Sequence, residues 1–104
     1  MPYSIDFKPE AKNDLASILG YIANELHQPI AAQKLNDEFE RRADFLRDNP
    51  EMFSAAADDG LAKRGYRTFG VGTYIVFYIV GRKTKTIDII RIISGKRVYS
   101  YLLP

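Results

Sequence analysis

The sequence predicts an α+β fold in which a helical hairpin packs on one face of a mostly antiparallel sheet, as two layers in the order β-α-α-β-β-β. Three observations predict it: a short alternating segment at the start, two stripes of apolar residues before residue 50, and three runs rich in Tyr, Ile, Val and Phe after residue 64. At 104 residues, the chain fits a single domain over residues 1–104.

The first strand and the first helix are predicted side by side. Residues 3–8, "YSIDFK", alternate apolar and polar side chains, as a half-buried strand does. Pro9 suits the first turn of a helix, where its missing N–H has no partner to lose. Apolar residues then recur three or four positions apart and predict one helical stripe: Ala11, Leu15, Ile18, Leu19, Ile22 and Leu26. The helix is expected to end near Pro29.

A second helix is predicted to begin at Pro29. Its apolar stripe consists of Ala32, Leu35, Phe39, Ala43 and Leu46. The very short connection between the two stripes indicates an antiparallel hairpin. Residues 49–64 show no sustained periodicity, so we expect a partly ordered connection there, with Asp58 and Asp59 as solvated turn residues.

Three strands follow, in the segments "GYRTFGV", "TYIVFYIVG" and "KTIDIIRIIS". Short turns separate them, which predicts an antiparallel meander. We expect one hairpin turn at residues 70–73, where glycines tolerate positive φ, and another in "GRKTK". Residues 74–80 are apolar at every position, so this strand is predicted to lie inside the sheet with both faces covered.

The charge is distributed unevenly along the chain. Residues 1–60 carry 6 Lys and Arg against 12 Asp and Glu, whereas residues 61–104 carry 9 against 1, so formal charges of −6 and +8 sum to +2. Such a contrast attracts polyanions or acidic protein segments. If the hairpin covers one face of the sheet, the other face is expected to present Arg67, Arg91, Lys96 and Arg97 together.

Most catalytic chemistries lack their residues. There is no cysteine, His27 is the single histidine, and Asp88 is the only acid of the basic half, so we expect no metal, no cofactor and no catalytic triad. No Gly-rich phosphate loop occurs. The residues that remain are cations and tyrosines: Arg67, Arg91, Lys96, Arg97, Tyr99 and Tyr101.

Two interpretations of this set stay open. Arginine forks bind phosphate and tyrosine rings stack on bases, which would serve nucleic-acid binding or metal-independent RNA cleavage. Alternatively, Tyr99 and Tyr101 dock the C-terminal turn on the core, and the Lys96–Arg97 pair keeps a sheet edge in water. Arg91 lies among isoleucines, so its charge needs water, a ligand or a carboxylate partner.

Three segments together resemble the RelE/ParE superfamily of bacterial toxins from type II toxin–antitoxin modules: "YSIDFKPEAKNDLASILGYI", "GYRTFGVGTYIVFYIV" and "IIRIISGKRVYSYLL". The resemblance covers nearly the whole chain. It implies a toxin held inactive by a cognate antitoxin, whose acidic segment would suit the basic half. The long helical hairpin and the "Y.VFY" strand are more similar to the ParE branch.

The resemblance implies one of two targets. ParE-like members poison DNA gyrase, whereas RelE-like members cut mRNA on the ribosome without metal. A ribonuclease would use Arg67, Arg97 and, after a small shift, Tyr99 or Tyr101. However, the arginine that ribonucleases place after the central-strand tyrosine is Ile75 here, and their late tyrosine falls on Leu103. We therefore expect gyrase inhibition, with mRNA cleavage and plain nucleic-acid binding as alternatives.

The expected location is the cytoplasm, without a membrane anchor. The start of the chain lacks the features of a secretory signal, and its longest apolar run is far shorter than a membrane span.

Overall fold

The structure, a computed structural model, describes residues 2–51, 53, 55–56 and 59–95. It confirms the predicted α+β architecture and adds one short helix. In chain order, the elements are β1 (Ser4–Phe7), α1 (Pro9–Gly20), a π-helical turn (Tyr21–Glu25), α2 (Pro29–Leu46), α3 (Asp59–Lys63), β2 (Arg67–Val71), β3 (Tyr74–Gly81) and β4 (Thr86–Ser94). None of the helices within these described ranges is long and apolar enough to cross a membrane.

The four strands form one mixed sheet in the order β1-β4-β3-β2. Strands β2, β3 and β4 form the predicted antiparallel meander, and β3 lies inside the sheet. The β2–β3 turn consists of residues 72 and 73, where Gly72 has a φ of +58°, while Gly70 lies within β2. The first strand pairs in parallel with β4, with Ser4 opposite Thr86, so it closes one edge of the sheet.

The main core lies between the helical hairpin and the sheet. Four of the five stripe residues of α2 are buried, and Leu35 is half-buried. Phe39 and Leu46 belong to an apolar cluster with the buried strand residues Phe69, Val71, Val76, Tyr78, Ile87, Ile89 and Ile92. Because residues two apart on a strand share a face, this cluster defines the face that the hairpin covers.

The end of the first helical stripe departs from the prediction. Leu26 is 45% exposed, so the expectation that it continues the buried stripe is wrong. The reason is the π-helical turn, in which the Leu26 N–H donates to the carbonyl of Tyr21, five residues earlier. The wider turn holds an additional residue and rotates the positions that follow it away from the core.

A second, smaller apolar cluster covers part of the opposite face. Leu61 of α3 and Tyr66 pack with Phe77 and Ile93. Asp59 begins α3, so its assignment as a turn residue is wrong, while Asp58 lies outside the described residues. A helix of five residues is too short to produce an apolar period that a sequence pattern could reveal.

Candidate target-binding surface

Arg91 forms a paired, mostly buried contact with the first helix. Its Nε and Nη2 donate to the two carboxylate oxygens of Asp14 at 2.7 and 2.9 Å, and the side chains are 18% and 15% exposed. The backbone N–H of Ile92 donates to the same carboxylate at 2.9 Å. The hydrogen bonds that Arg91 donates to Asp14 raise the pKa of the guanidinium above its ordinary value. Asp14 therefore fixes β4 against α1 beyond the last residue that β1 pairs.

Arg67 is held where the chain leaves the second helix. Its Nη1 donates to the carbonyl of Phe53 at 2.7 Å, and its Nη2 donates to Glu51 at 3.3 Å. Glu51 also accepts from Arg82 Nε at 2.9 Å, and this bond lowers the pKa of the Glu51 carboxyl. One carboxylate thus bridges two guanidinium groups.

The two arginines do not converge on the open face of the sheet. Arg67 lies opposite Tyr78 and two positions from Phe69, both of which belong to the hairpin-facing cluster. Since directly opposed residues share a face, the expectation that the other face presents Arg67 is wrong. The physical reason is strand register, which a single sequence does not fix. Four further predicted residues lie outside the described part of the chain: Lys96, Arg97, Tyr99 and Tyr101.

The hydroxyl of Tyr78 is buried beside Arg67. It has no hydrogen-bond partner within the described residues, although the backbone of Phe53 lies close enough to lower its pKa slightly. Burial raises the pKa of this phenol to about 12, while the positive charge of Arg67 opposes the shift. The buried ring of Tyr78 stabilises the core, whereas its hydroxyl, which has no hydrogen-bond partner within the described residues, destabilises it.

Replacing Tyr78 by phenylalanine should remove a pH dependence of stability. The folded pKa of about 12 exceeds the ordinary value of 10.0. The stabilisation that results from this pKa difference is therefore fully present below pH 10. It is lost as the pH rises from 10 toward 12, because the phenol ionises more readily in the unfolded chain. In urea unfolding, the wild type should lose about 1.4 kcal/mol more than Tyr78→Phe between pH 9 and pH 11. Tyr21→Phe, at an exposed site, is the matched control; equal losses in Tyr78→Phe and the wild type would contradict the assignment.

The turn between β3 and β4 is basic and exposed. Arg82, Lys83 and Lys85 occupy three of its four positions. Thr84 Oγ1 lies 2.7 Å from Thr86 Oγ1, and a Cβ on Gly81 would lie 2.6 Å from Thr84 Oγ1, so the turn is tightly closed. In the sequence, this segment is predicted only as a hairpin turn. Its three cations in four positions are the feature of the sequence that indicates a separate basic surface.

Exposed apolar side chains gather at the tip of the helical hairpin. Tyr21, Leu26 and Ile30 are 56%, 45% and 73% exposed. His27, between them, adopts a φ of +52°, in the left-handed region that few residues other than glycine adopt. Exposed apolar patches commonly mark surfaces that other proteins cover.

The described residues offer no site for a metal. No group of three or more His, Asp or Glu side chains comes together within residues 2–51, 53, 55–56 and 59–95. The chemistry available there is that of cations, carboxylates and phenols.

Solved toxin structures share this arrangement of helices and strands. The chromosomal ParDE system from P. aeruginosa matches with a TM-score of 0.70 and 20% identity, over 88% of this chain and 95% of that chain. A mutant of the E. coli toxin RelE in the free state matches with a TM-score of 0.70 and 10% identity, over 99% and 94%. The toxin–antitoxin complex RelBE2 from Mycobacterium tuberculosis matches with a TM-score of 0.51 and 16% identity, over 90% of this chain and 99% of that chain.

These likenesses define the class as the RelE/ParE toxin fold. No curated protein sequence matches the chain. The sequence pattern of the family described as "ParE toxin of type II toxin-antitoxin system, parDE" matches residues 5–99. The chain therefore belongs to the ParE toxin family.

Proposed function

We propose that this protein is a growth-inhibiting toxin that binds DNA gyrase and is neutralised by a cognate antitoxin in the cytoplasm. The observation that carries the choice of gyrase over mRNA is the environment of Ile75. This position, where the resemblance to ribonucleases predicts an arginine, holds an aliphatic side chain packed against the second apolar cluster. Removing a cation that stabilises a transition state costs about a hundredfold or more in rate.

The environment of Arg67 supports the same choice. A ribonuclease would need this guanidinium to stabilise the phosphate, yet it is only 26% exposed and is held by Glu51 and the Phe53 carbonyl. Arg91 is similarly held by Asp14. In this proposal, Arg67 and Arg91 support the strands, while Lys96, Arg97, Tyr99 and Tyr101 contribute to contact with the target.

The exposed apolar residues and the positive charge of the chain both support binding to other proteins, namely gyrase and an antitoxin. The exposed Tyr21, Leu26 and Ile30 supply apolar contact area of the kind that protein interfaces bury. The antitoxin is proposed because the related ParDE and RelBE2 structures are of toxin–antitoxin systems. The formal charge of +8 on residues 61–104 would attract an acidic antitoxin segment.

Ribosome-dependent mRNA cleavage is the second candidate. It is favoured by the TM-score of 0.70 with the RelE mutant and by the retention of Arg67 and Arg97. This candidate requires Arg97 as a transition-state cation, with Tyr99 or Tyr101 assisting proton transfer.

The two candidates separate in living cells. Induced expression should stop bacterial growth, and coexpression of the adjacent antitoxin gene should restore it. Under the gyrase proposal, a reporter plasmid should relax while transcripts in the same cells stay intact. Cleaved transcripts in cells whose plasmid stays normally supercoiled would support the ribonuclease instead, provided that the cleavage disappears with Arg97→Ala.

A further inference from the structure

The basic turn lies apart from the end of β4 where the described chain stops. Strand β4 has nine residues, so it separates the turn from Gly95 by roughly 30 Å. Arg67, the first residue of β2, pairs with Tyr78 near the turn end of β3. The turn therefore forms a surface of its own, which Arg67 borders and which none of the contacts proposed above uses.

The cations spread across the end of the sheet. Arg82 leans toward β2, where it shares Glu51 with Arg67. Lys85 leans toward β1, where its Nζ lies 5.3 Å from the centre of the Tyr3 ring. Three strand spacings separate β2 from β1, or roughly 14 Å. This width lets the cations reach several successive phosphates of one DNA strand, which carries one charge per about 3.4 Å of helix axis.

The surface keeps a positive charge after its ion pairs are counted. Arg67, Arg82, Lys83 and Lys85 contribute +4 and Glu51 contributes −1, which leaves +3. Asp6 and Asp88 on the neighbouring strands share one lysine, Lys8, at 2.8 and 3.7 Å; these three groups contribute a further −1, so the end of the sheet keeps +2. Within the described residues, no carboxylate is paired with Lys83 or Lys85.

We propose that Arg82, Lys83 and Lys85 of the basic turn bind the phosphate backbone of duplex DNA. Glu51 holds the exposed guanidinium of Arg82 as a phosphate would, because both anions accept from arginine forks. Phosphate takes the place of Glu51 on Arg82 when DNA binds, while Arg67 stays bonded to Glu51 and the Phe53 carbonyl.

The chemistry of the turn favours DNA over two other polyanions. An acidic peptide would need apolar anchors, but the large exposed apolar residues of the described chain lie on the helices, at Tyr21, Leu26, Ile30 and Phe45. Single-stranded RNA would need exposed aromatic rings for stacking; residues 82–85 contain none, and the neighbouring Tyr3 ring is half-buried and lies beside Lys85. The choice of duplex DNA rests on the proposed function, since gyrase acts on that substrate.

The test is direct binding of a fluorescein-labelled 20-bp DNA duplex to the full-length toxin over a series of salt concentrations. The turn variant Arg82→Gln/Lys83→Gln/Lys85→Gln should bind at least about tenfold more weakly. The slope of log K against log salt should fall by about 2 to 3, at roughly 0.9 per phosphate contact. Glu51→Gln should bind about threefold more tightly, because it removes the carboxylate that competes with phosphate for Arg82.

The matched control, Lys12→Gln/Lys34→Gln/Lys63→Gln, removes the same charge from exposed positions elsewhere and should change affinity less than twofold. Thermal unfolding of each variant establishes that it is folded. The proposal is overturned by equal losses in the two triple variants, by weaker binding of Glu51→Gln, or by tighter binding of a 20-nucleotide RNA or a poly-glutamate peptide. This binding experiment contains no gyrase, so its failure overturns only DNA binding by the basic turn. The supercoiling assay tests the proposed gyrase inhibition independently.

Discussion

Replacing Phe39 by alanine is expected to lower the free energy of unfolding by about 3 to 5 kcal/mol. Phe39 is 2% exposed and lies in the main core between α2 and the sheet. Its ring also contacts Tyr74, with 6.4 Å between the ring centres. The loss combines the transfer of the ring to water with the cavity left behind. A domain of this size has about 5 to 15 kcal/mol in total, so the variant should be marginally folded.

Phe45 provides the control on the same helix. Its side chain is 57% exposed, so Phe45→Ala should change the free energy of unfolding by less than about 0.5 kcal/mol. Urea unfolding of both variants, followed by circular dichroism, measures the difference. Similar losses from Phe39→Ala and Phe45→Ala would show that the apolar stripe of α2 does not face the sheet.

Replacing Asp14 by alanine is the second large effect, with an expected loss of about 3 kcal/mol in the free energy of unfolding. The substitution leaves the mostly buried guanidinium of Arg91 without its carboxylate. It also removes the acceptor of the Ile92 N–H at the open edge of β4. Folding removes both groups from water, so after the substitution neither regains a hydrogen bond as favourable as the one to Asp14.

A double substitution tests whether the pair itself is responsible. Asp14→Leu/Arg91→Met replaces both charges by apolar groups and should recover stability to within about 1.5 kcal/mol of the wild type. The control Asp6→Ala removes an exposed carboxylate paired with Lys8 and should destabilise the fold much less than Asp14→Ala. If Asp14→Ala costs no more than Asp6→Ala, the Arg91 contact does not stabilise the fold.

The repeating elements were predictable because each leaves a period in the sequence. The stripe of α2 and the three-strand meander follow directly from apolar spacing, and β3 is interior because all its residues are apolar. Two elements could not be predicted from apolar spacing. The π-helical turn, which displaces Leu26, depends on local hydrogen bonding, and α3 is too short to show a stripe. The parallel pairing of β1 with β4 depends on which strands meet in space.

The candidate site was predictable in composition but not in geometry. The excess of cations after residue 60 is visible in the sequence, and Arg91 was expected to need a partner. Its partner, Asp14, lies 77 residues away along the chain, and Glu51 lies 16 residues from Arg67. Such pairs depend on strand register, so the direction of each guanidinium emerges only from the folded chain.

The most direct test of the account is a supercoiling assay with purified DNA gyrase, relaxed plasmid and increasing amounts of the purified toxin. We expect supercoiling to fall with toxin concentration and to recover when the cognate antitoxin is added in equimolar amount. In parallel, a translating extract with the same toxin should keep its mRNA intact. Fully active gyrase at a tenfold molar excess of folded toxin, together with cut mRNA in the extract, would contradict it.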